Sequence, residues 1–229
     1  MDSRTQILNK IKSALADVDK SKLVEPDMPT VWERTDASHD ALVETFANNL
    51  RSVAGEAVVC ASEEDAIAKI TQTLQELAGS DATRQLGVYD SPAIAAILPQ
   101  LRNALNDWTF METPSDPAVD PKTYEPLTAS LVSPLLLLAD TGSCAIEGRC
   151  AFERLLCYLS PVCLVLARAS QLREHLPHAW GEISGKFIGT DQPGEIALVT
   201  GPSRTADIEK KLVLGVHGPR RLIVFLIQD

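Results

Sequence analysis

Apolar residues at Ile7, Leu8, Ile11, Leu15 and Val18 recur every three or four positions, which puts them on one stripe of an amphipathic helix at the start of the chain. The polar stretch that follows, VEPDMPTVWERTDAS, carries two prolines and reads as a loop. From Ser38 onward the pattern alternates between the two periods. It predicts a helix over 39–53, a strand over Ala57–Ala61, a helix over 63–78 and a strand over Gln85–Tyr89. A helix opened by Ser91 as cap and Pro92 in the first helical position comes next, then a strand near Trp108–Met111. Alternation of this kind predicts a parallel sheet with helices on both faces.

The segment METPSDPAVDPKTYEP holds four prolines, so neither a helix nor an interior strand fits it, and it reads as a long connection. Such a connection is either a lid over a site or a surface excursion without a role. Beyond it lie runs with the character of buried strands: LLLLA, SCAIE, Val162–Ala167, EIALVT, and RLIVFLI to close the sheet. In ASQLREHLPHAWGEI, Pro177 is expected to divide or kink any helix.

Composition narrows the class without changing the outline. With 45% hydrophobic and 23% charged residues over 229 positions, the chain is an ordinary globular one, large enough for one main core. The division expected is an N-terminal helix and linker over 1–37 and an α/β domain over 38–229. A formal charge of −10 argues against a general footprint for nucleic acid. Leu131–Ala139, the longest apolar run, is far short of the roughly 18 residues a membrane span needs. The N-terminus has no apolar core of signal-peptide type. Five cysteines, an odd number with no C-x-x-C pair, favour a reducing compartment, and the expectation is a cytoplasmic protein. Neither the spacing of Cys144, Cys150, Cys157 and Cys163 nor the pair His175 and His178 suits a cluster or a zinc hydrolase motif, so no metal or cofactor is expected.

Candidate chemistry concentrates at two strand-to-loop junctions. In VTGPSRTADIEKKLVLGVHGPRR a strand ends at Gly201-Pro202, and Ser203 or Thr205 is placed to cap a following helix. The amides of its first turn, with Arg204 as a clamp, would hold a small carboxylate or phosphate; the alternative is a capped helix with Arg204 paired to Asp207 or to a neighbouring acid. His217, between glycines, is the lone acid/base candidate of this stretch, and of Arg220 and Arg221 at most one faces inward, leaving Arg220 in the anion set. The second junction is LLLLADTGSCAIEGR. There Asp140 or Glu147 is a candidate general base or nucleophile, and Thr141, Gly142 and Ser143 are candidate anion contacts; the alternative is an ordinary tight turn.

These stretches resemble the lactate utilization protein C (LutC) family, built on the LUD domain. GPSRTADIE and LGVHGPR match its C-terminal blocks, ADTGS is similar to its A-E-T-G-T/S, and SRTQILNKIKSAL to its leading helix. Asp140 stands where the family usually has Glu, LVSPLLLL lacks the usual Gly and acidic residue, and Cys163 replaces a common His. The resemblance implies a three-layer α/β/α fold with a mostly parallel sheet, similar to the sugar-phosphate isomerase, glucosamine-phosphate deaminase and CoA-transferase group (NagB/RpiA/CoA transferase-like). It also implies an accessory role in oxidising L-lactate to pyruvate beside two iron–sulfur partner proteins, this chain being the subunit without metal. Two other functions stay open: an enzyme acting on a phosphorylated or CoA-linked substrate, and a scaffold that has lost its activity.

Overall fold

The computed structural model describes residues 2–16, 32–33, 35–79, 83–113, 121–185, 194–206 and 212–229. They form two compact units, Met1–Glu33 and Arg34–Asp229. In the first, α1 (Ser3–Ala16) carries the expected stripe, with Ile7, Leu8, Ile11 and Leu15 exposed; Val18 lies outside the described residues.

The second unit opens with α2 (His39–Ser52). Ser38 caps it by accepting from the Ala41 amide, and Val43, Phe46, Ala47 and Leu50 make its buried stripe. Next come β1 (Glu56–Cys60) and α3 (Glu63–Leu77), whose Ser62 cap and first-turn acids Glu63, Glu64 and Asp65 suit the positive end of the helix. β2 (Gln85–Val88), α4 (Pro92–Ala104) and β3 (Thr109–Met111) follow as the alternation predicts. Of the proline-rich connection, residues 114–120 lie outside the described ones, and Pro121–Tyr124 is a single 3-10 turn.

LVSPLLLL is where the pattern divides in a way that apolar character alone conceals. Ala129–Val132 is a strand of the main sheet, β4; Ser133-Pro134 ends it; and Leu136–Leu138 starts a different sheet as β5. A four-residue turn then brings β6 (Ser143–Gly148) back antiparallel to β5. After α5 (Ala151–Leu156), β7 (Val162–Arg168) returns to the main sheet. β8 (Leu172–Arg173), α6 (Leu176–Gly185), β9 (Glu195–Val199) and the hairpin of β10 (Arg204–Ala206) with β11 (Leu212–Leu214) precede β12 (Arg221–Ile227).

The main sheet has six strands, all parallel, in the order β1-β12-β7-β4-β2-β3. α3 and α4 pack together, as right-handed crossovers require of consecutive connections running the same way along a sheet. The opposite face receives α5: a Cβ on Gly87 of β2 would meet Leu156, and the buried Ser130 of β4 donates to the Leu156 carbonyl at 2.7 Å. Helices thus flank a parallel sheet in the α/β manner expected. Three expectations need correction. β5, β6 and β9 belong with β8 to a second, four-stranded sheet ordered β8-β5-β6-β9, because a four-residue turn permits only an antiparallel return. Arg221–Ile227 sits inside the main sheet, between β1 and β7. Pro177 occupies the first turn of α6, where its missing amide is harmless, so one helix begins there rather than two.

Cys60, Cys144, Cys157 and Cys163 are buried, and burial raises their thiols above the ordinary range. No helix among the described residues is long and apolar enough to cross a membrane.

Candidate functional site

Both glycine-bearing junctions are docked on the end of α2. Gly142 has φ +65, and a Cβ there would lie 2.7 Å from Leu50 Cα and 2.9 Å from the Asn49 carbonyl carbon. Gly201 has φ +78, with a Cβ 2.8 Å from the Val53 carbonyl oxygen. Asn49 Nδ2 donates to the Ala139 and Asp140 carbonyls at 2.8 and 2.9 Å, so the helix end grips the turn by its backbone. Ser143 Oγ joins the two junctions, at 2.7 Å from Thr141 Oγ1 and 2.6 Å from Thr200 Oγ1. Here glycine permits close approach of another part of the chain.

The helix expected after Ser203 is a correction: Arg204–Ala206 is strand β10, paired with β11. The Ser203 amide donates to the Pro219 carbonyl and the Ser203 carbonyl accepts from Gly215, so GPSR and LGVHGPR are tied to each other by their main chains. Among the described residues no helical turn follows Ser203 to present amides. Arg204, His217 and Arg220 are exposed, and the side chain of Thr205 lies outside what the structure describes. Arg221 donates to both oxygens of Glu56, at 2.8 and 2.9 Å. This stretch leads into the amino end of β12, whereas ligands of open parallel sheets collect at carboxyl ends.

Asp140 Oδ2 lies 3.0 Å from His175 Nδ1, and its buried Oδ1 has no hydrogen-bond partner among the described residues. Glu174, within 3.9 Å of both His175 and His178, is held below the usual carboxylate range by the Thr35 hydroxyl that donates to it. Among the described residues no three His, Cys, Asp or Glu side chains are placed to hold a metal.

At the carboxyl ends of β2 and β4 the sheet has its switch point: β2 leads outward to β3, while β4 leads the other way to β7. A cleft of about 400 Å³ opens there. Tyr89, Asp90 and Ser91 come from the end of β2, Pro92 and Ala93 from the start of α4, Ser133 and Pro134 from the end of β4, and Gln171 from the turn after β7. Glu147 and Arg149 are delivered by β6, because the hairpin begins at the end of β4 and its second strand runs back to that level. Of the sequence candidates, the cleft gathers Glu147; Asp140 sits at the opposite end of the same hairpin.

Arg149 is the organising cation. Its Nε and Nη2 donate to the buried Glu153 at 3.1 and 2.6 Å, its amide donates to Glu153 at 2.8 Å, and Nη2 also reaches the Asp90 carbonyl. The bond to Glu153 raises the guanidinium further above its ordinary value, so the charge is permanent. It lies over the Tyr89 ring, 5.3 Å from the centroid. Burial pushes the Tyr89 phenol up to about 12, and the charges of Glu153 and Glu147 add to the effect against Arg149. The Glu147 carboxylate makes no hydrogen bond or ion pair to a described residue, and the start of α4 supplies the Ala93 amide, with Ser91 Oγ already taken by Ile94. One wall of the cleft therefore carries a cation, shared with Glu153 and with Asp90 at 3.6 Å, and the other offers a carboxylate. Sequence reasoning passed over Tyr89, Asp90 and Arg149; the signal was an acidic residue between a strand's last residue and a Ser-Pro helix start.

Tyr89 gives a direct test by alkaline titration. Its folded value lies above the ordinary 10, so the stability it contributes is complete below about pH 10 and is lost as pH rises toward 12. Phenolate absorbance should show Tyr89 ionising near pH 12, and Tyr89→Phe should flatten the alkaline fall in stability, whose slope from one group is at most about 1.4 kcal/mol per pH unit.

A parallel sheet flanked by helices, with polar groups convergent at its switch point, defines an α/β architecture with a cleft at its carboxyl edge. The chain belongs to the LUD domain family, whose model matches residues 43–227. It is 32% identical to lactate utilization protein C of Bacillus pumilus (strain SAFR-032) over 93 residues, 40% of this chain and 39% of that protein. Over 65 residues, 28% of this chain and 26% of the relative, it is 40% identical to the protein YkgG of Escherichia coli (strain K12). The chain spans about two fifths of the length, or less, of these curated relatives. Its structure is similar to the crystal structure of a DUF162 family protein from Deinococcus radiodurans, with TM-score 0.57 and 16% identity, covering 83% of this chain and 99% of the other. That likeness is one of fold.

Proposed function

We propose that this protein serves lactate utilization in the cytoplasm, as a subunit that holds a small 2-hydroxy or 2-oxo acid beside iron–sulfur proteins that carry the electrons. The process is suggested by the relatives named lactate utilization protein C. The ligand is suggested by one observation: Arg149 and Glu147 stand together at the switch point. In this reading the acid's carboxylate lies toward Arg149 and the Ala93 amide, where a fixed charge and a helix start both favour an anion. Its 2-hydroxyl donates to Glu147. Oxidation of that hydroxyl needs an electron acceptor, and that part falls to the iron–sulfur partners.

A second reading draws on the same residue. Glu147, with its carboxylate turned to the cleft, suits a general base or nucleophile for a phosphorylated or CoA-linked substrate. Calorimetric titration with L-lactate, pyruvate, ribose 5-phosphate and coenzyme A separates the two. The first reading expects L-lactate and pyruvate to bind, and Glu147→Gln to weaken L-lactate at least tenfold but pyruvate, which lacks the hydroxyl, far less. Binding confined to the phosphorylated or CoA ligands favours the second. Lactate binding that survives Glu147→Gln but fails with Arg204→Ala returns the site to the 201–221 stretch.

A further inference from the structure

On the far side of Tyr89, Asp90 and Ser91 from the cleft, between the carboxyl ends of β2 and β3, lies a second hollow of about 200 Å³. Its lining is divided by chemistry. Val88, Ile94 and Leu98 give it an apolar floor, Asp90 and Glu112 put two carboxylates at its edge, and Thr113 Oγ1 is buried without a hydrogen bond to any described residue. Arg102 pairs with Glu112 and lies over the Phe110 ring, 4.7 Å from its centroid, so the guanidinium is engaged on the protein. A pocket for a whole drug-sized ligand measures roughly 300–1,000 Å³, so this hollow suits a part of a ligand, or a small one.

A phosphate or carboxylate group is a poor occupant, since it would face the charges of Asp90 and Glu112. The surfaces call for an apolar body whose rim carries hydrogen-bond donors. A vicinal diol offers two donors to one carboxylate, and a flat base fills an apolar slot. At the carboxyl edge of open α/β sheets, an acidic side chain is suited to the hydroxyls of a ribose. We propose that this hollow is a purine-nucleoside site, with the ribose diol on Asp90 and the base over Ile94 and Leu98. Because the two hollows share the wall at Tyr89, Asp90 and Ser91, a substituent on the ribose can pass over Ser91 toward the start of α4 and Arg149.

The hollow shares Asp90 with the acid-binding cleft, where its carboxylate also faces Arg149 at 3.6 Å, so the test pairs Asp90→Asn with a variant confined to the hollow. Adenosine and 2′,3′-dideoxyadenosine are titrated into the full chain, alone and against benzylamine as a cationic amine with an apolar ring. Adenosine is expected to bind at least tenfold more tightly than the dideoxy analogue, and Asp90→Asn to remove most of that difference. Ala95→Leu, which adds apolar volume at the hollow without touching the acid-binding cleft, should weaken adenosine at least tenfold and leave L-lactate binding unchanged. Adenosine that fails to bind, that binds Ala95→Leu as well as the parent, or that is outdone by benzylamine overturns the proposal. None of those results bears on lactate at Glu147, and a loss of lactate binding alone leaves the nucleoside site standing.

Discussion

Alanine at Gly142 should cost the protein about 3 kcal/mol of stability. Two penalties act at once there. The backbone sits at φ +65, a region that costs an L-residue about 1–2 kcal/mol. The added Cβ would also stand 2.7 Å from Leu50 Cα, a main-chain atom of α2 that cannot rotate out of the way, and overpacking of that kind costs about 1–3 kcal/mol. For a domain of this size the sum corresponds to a melting temperature lowered by roughly 6–12 °C. Thermal denaturation of Gly142→Ala beside Gly181→Ala measures it. A Cβ at Gly181, on α6, meets nothing within 4 Å, so that control should be neutral or slightly stabilised. Equal stability of the two variants would mean that the Asp140–Ser143 turn does not rest on α2.

Arg149→Met is the second large effect, at about 3–5 kcal/mol. The substitution leaves the Glu153 carboxylate, only 2% exposed, without its counter-charge. The reverse change, Glu153→Gln, should cost less, because the guanidinium is 44% exposed and keeps access to water. A double variant removes both charges and should recover at least half of the loss seen in Arg149→Met. Urea denaturation of all four proteins closes the cycle. A coupling energy near zero would show that Glu153 is not held by Arg149, and the cleft would then lose the group that fixes its cation.

Much of the fold was legible because local chemistry and long-range packing agree. Ser91-Pro92 opens α4 as its residue types require, and the apolar stripes of α2 and α3 are the ones they bury. What was illegible depends on partners. Leu131 and Leu137 look alike in sequence, yet they belong to different sheets, and only Pro134 hints at the break. Ser203 and Thr205 carry the types of a helix cap, but the Ser203 amide donates to the distant Pro219 carbonyl and its carbonyl accepts from Gly215, and the chain forms a hairpin instead. For the site, Glu147 could be singled out as an acidic residue after a strand. Its neighbours could not, since Asp90 and Arg149 lie 59 residues apart and are joined by the order of strands alone.

The place of β12 in the sheet governs how the protein comes to be made. β1 emerges early from the ribosome, but its hydrogen-bonding neighbour is β12, and Glu56 meets Arg221 across a separation of 165 residues. A nascent chain therefore carries β1 without its hydrogen-bonding neighbour throughout the synthesis of everything between. Pairing over such a span is slow, and bare strand edges invite association between growing chains. Production in cells short of holding chaperones should consequently yield inclusion bodies, while slowing translation ahead of Arg221 would lengthen the interval of risk.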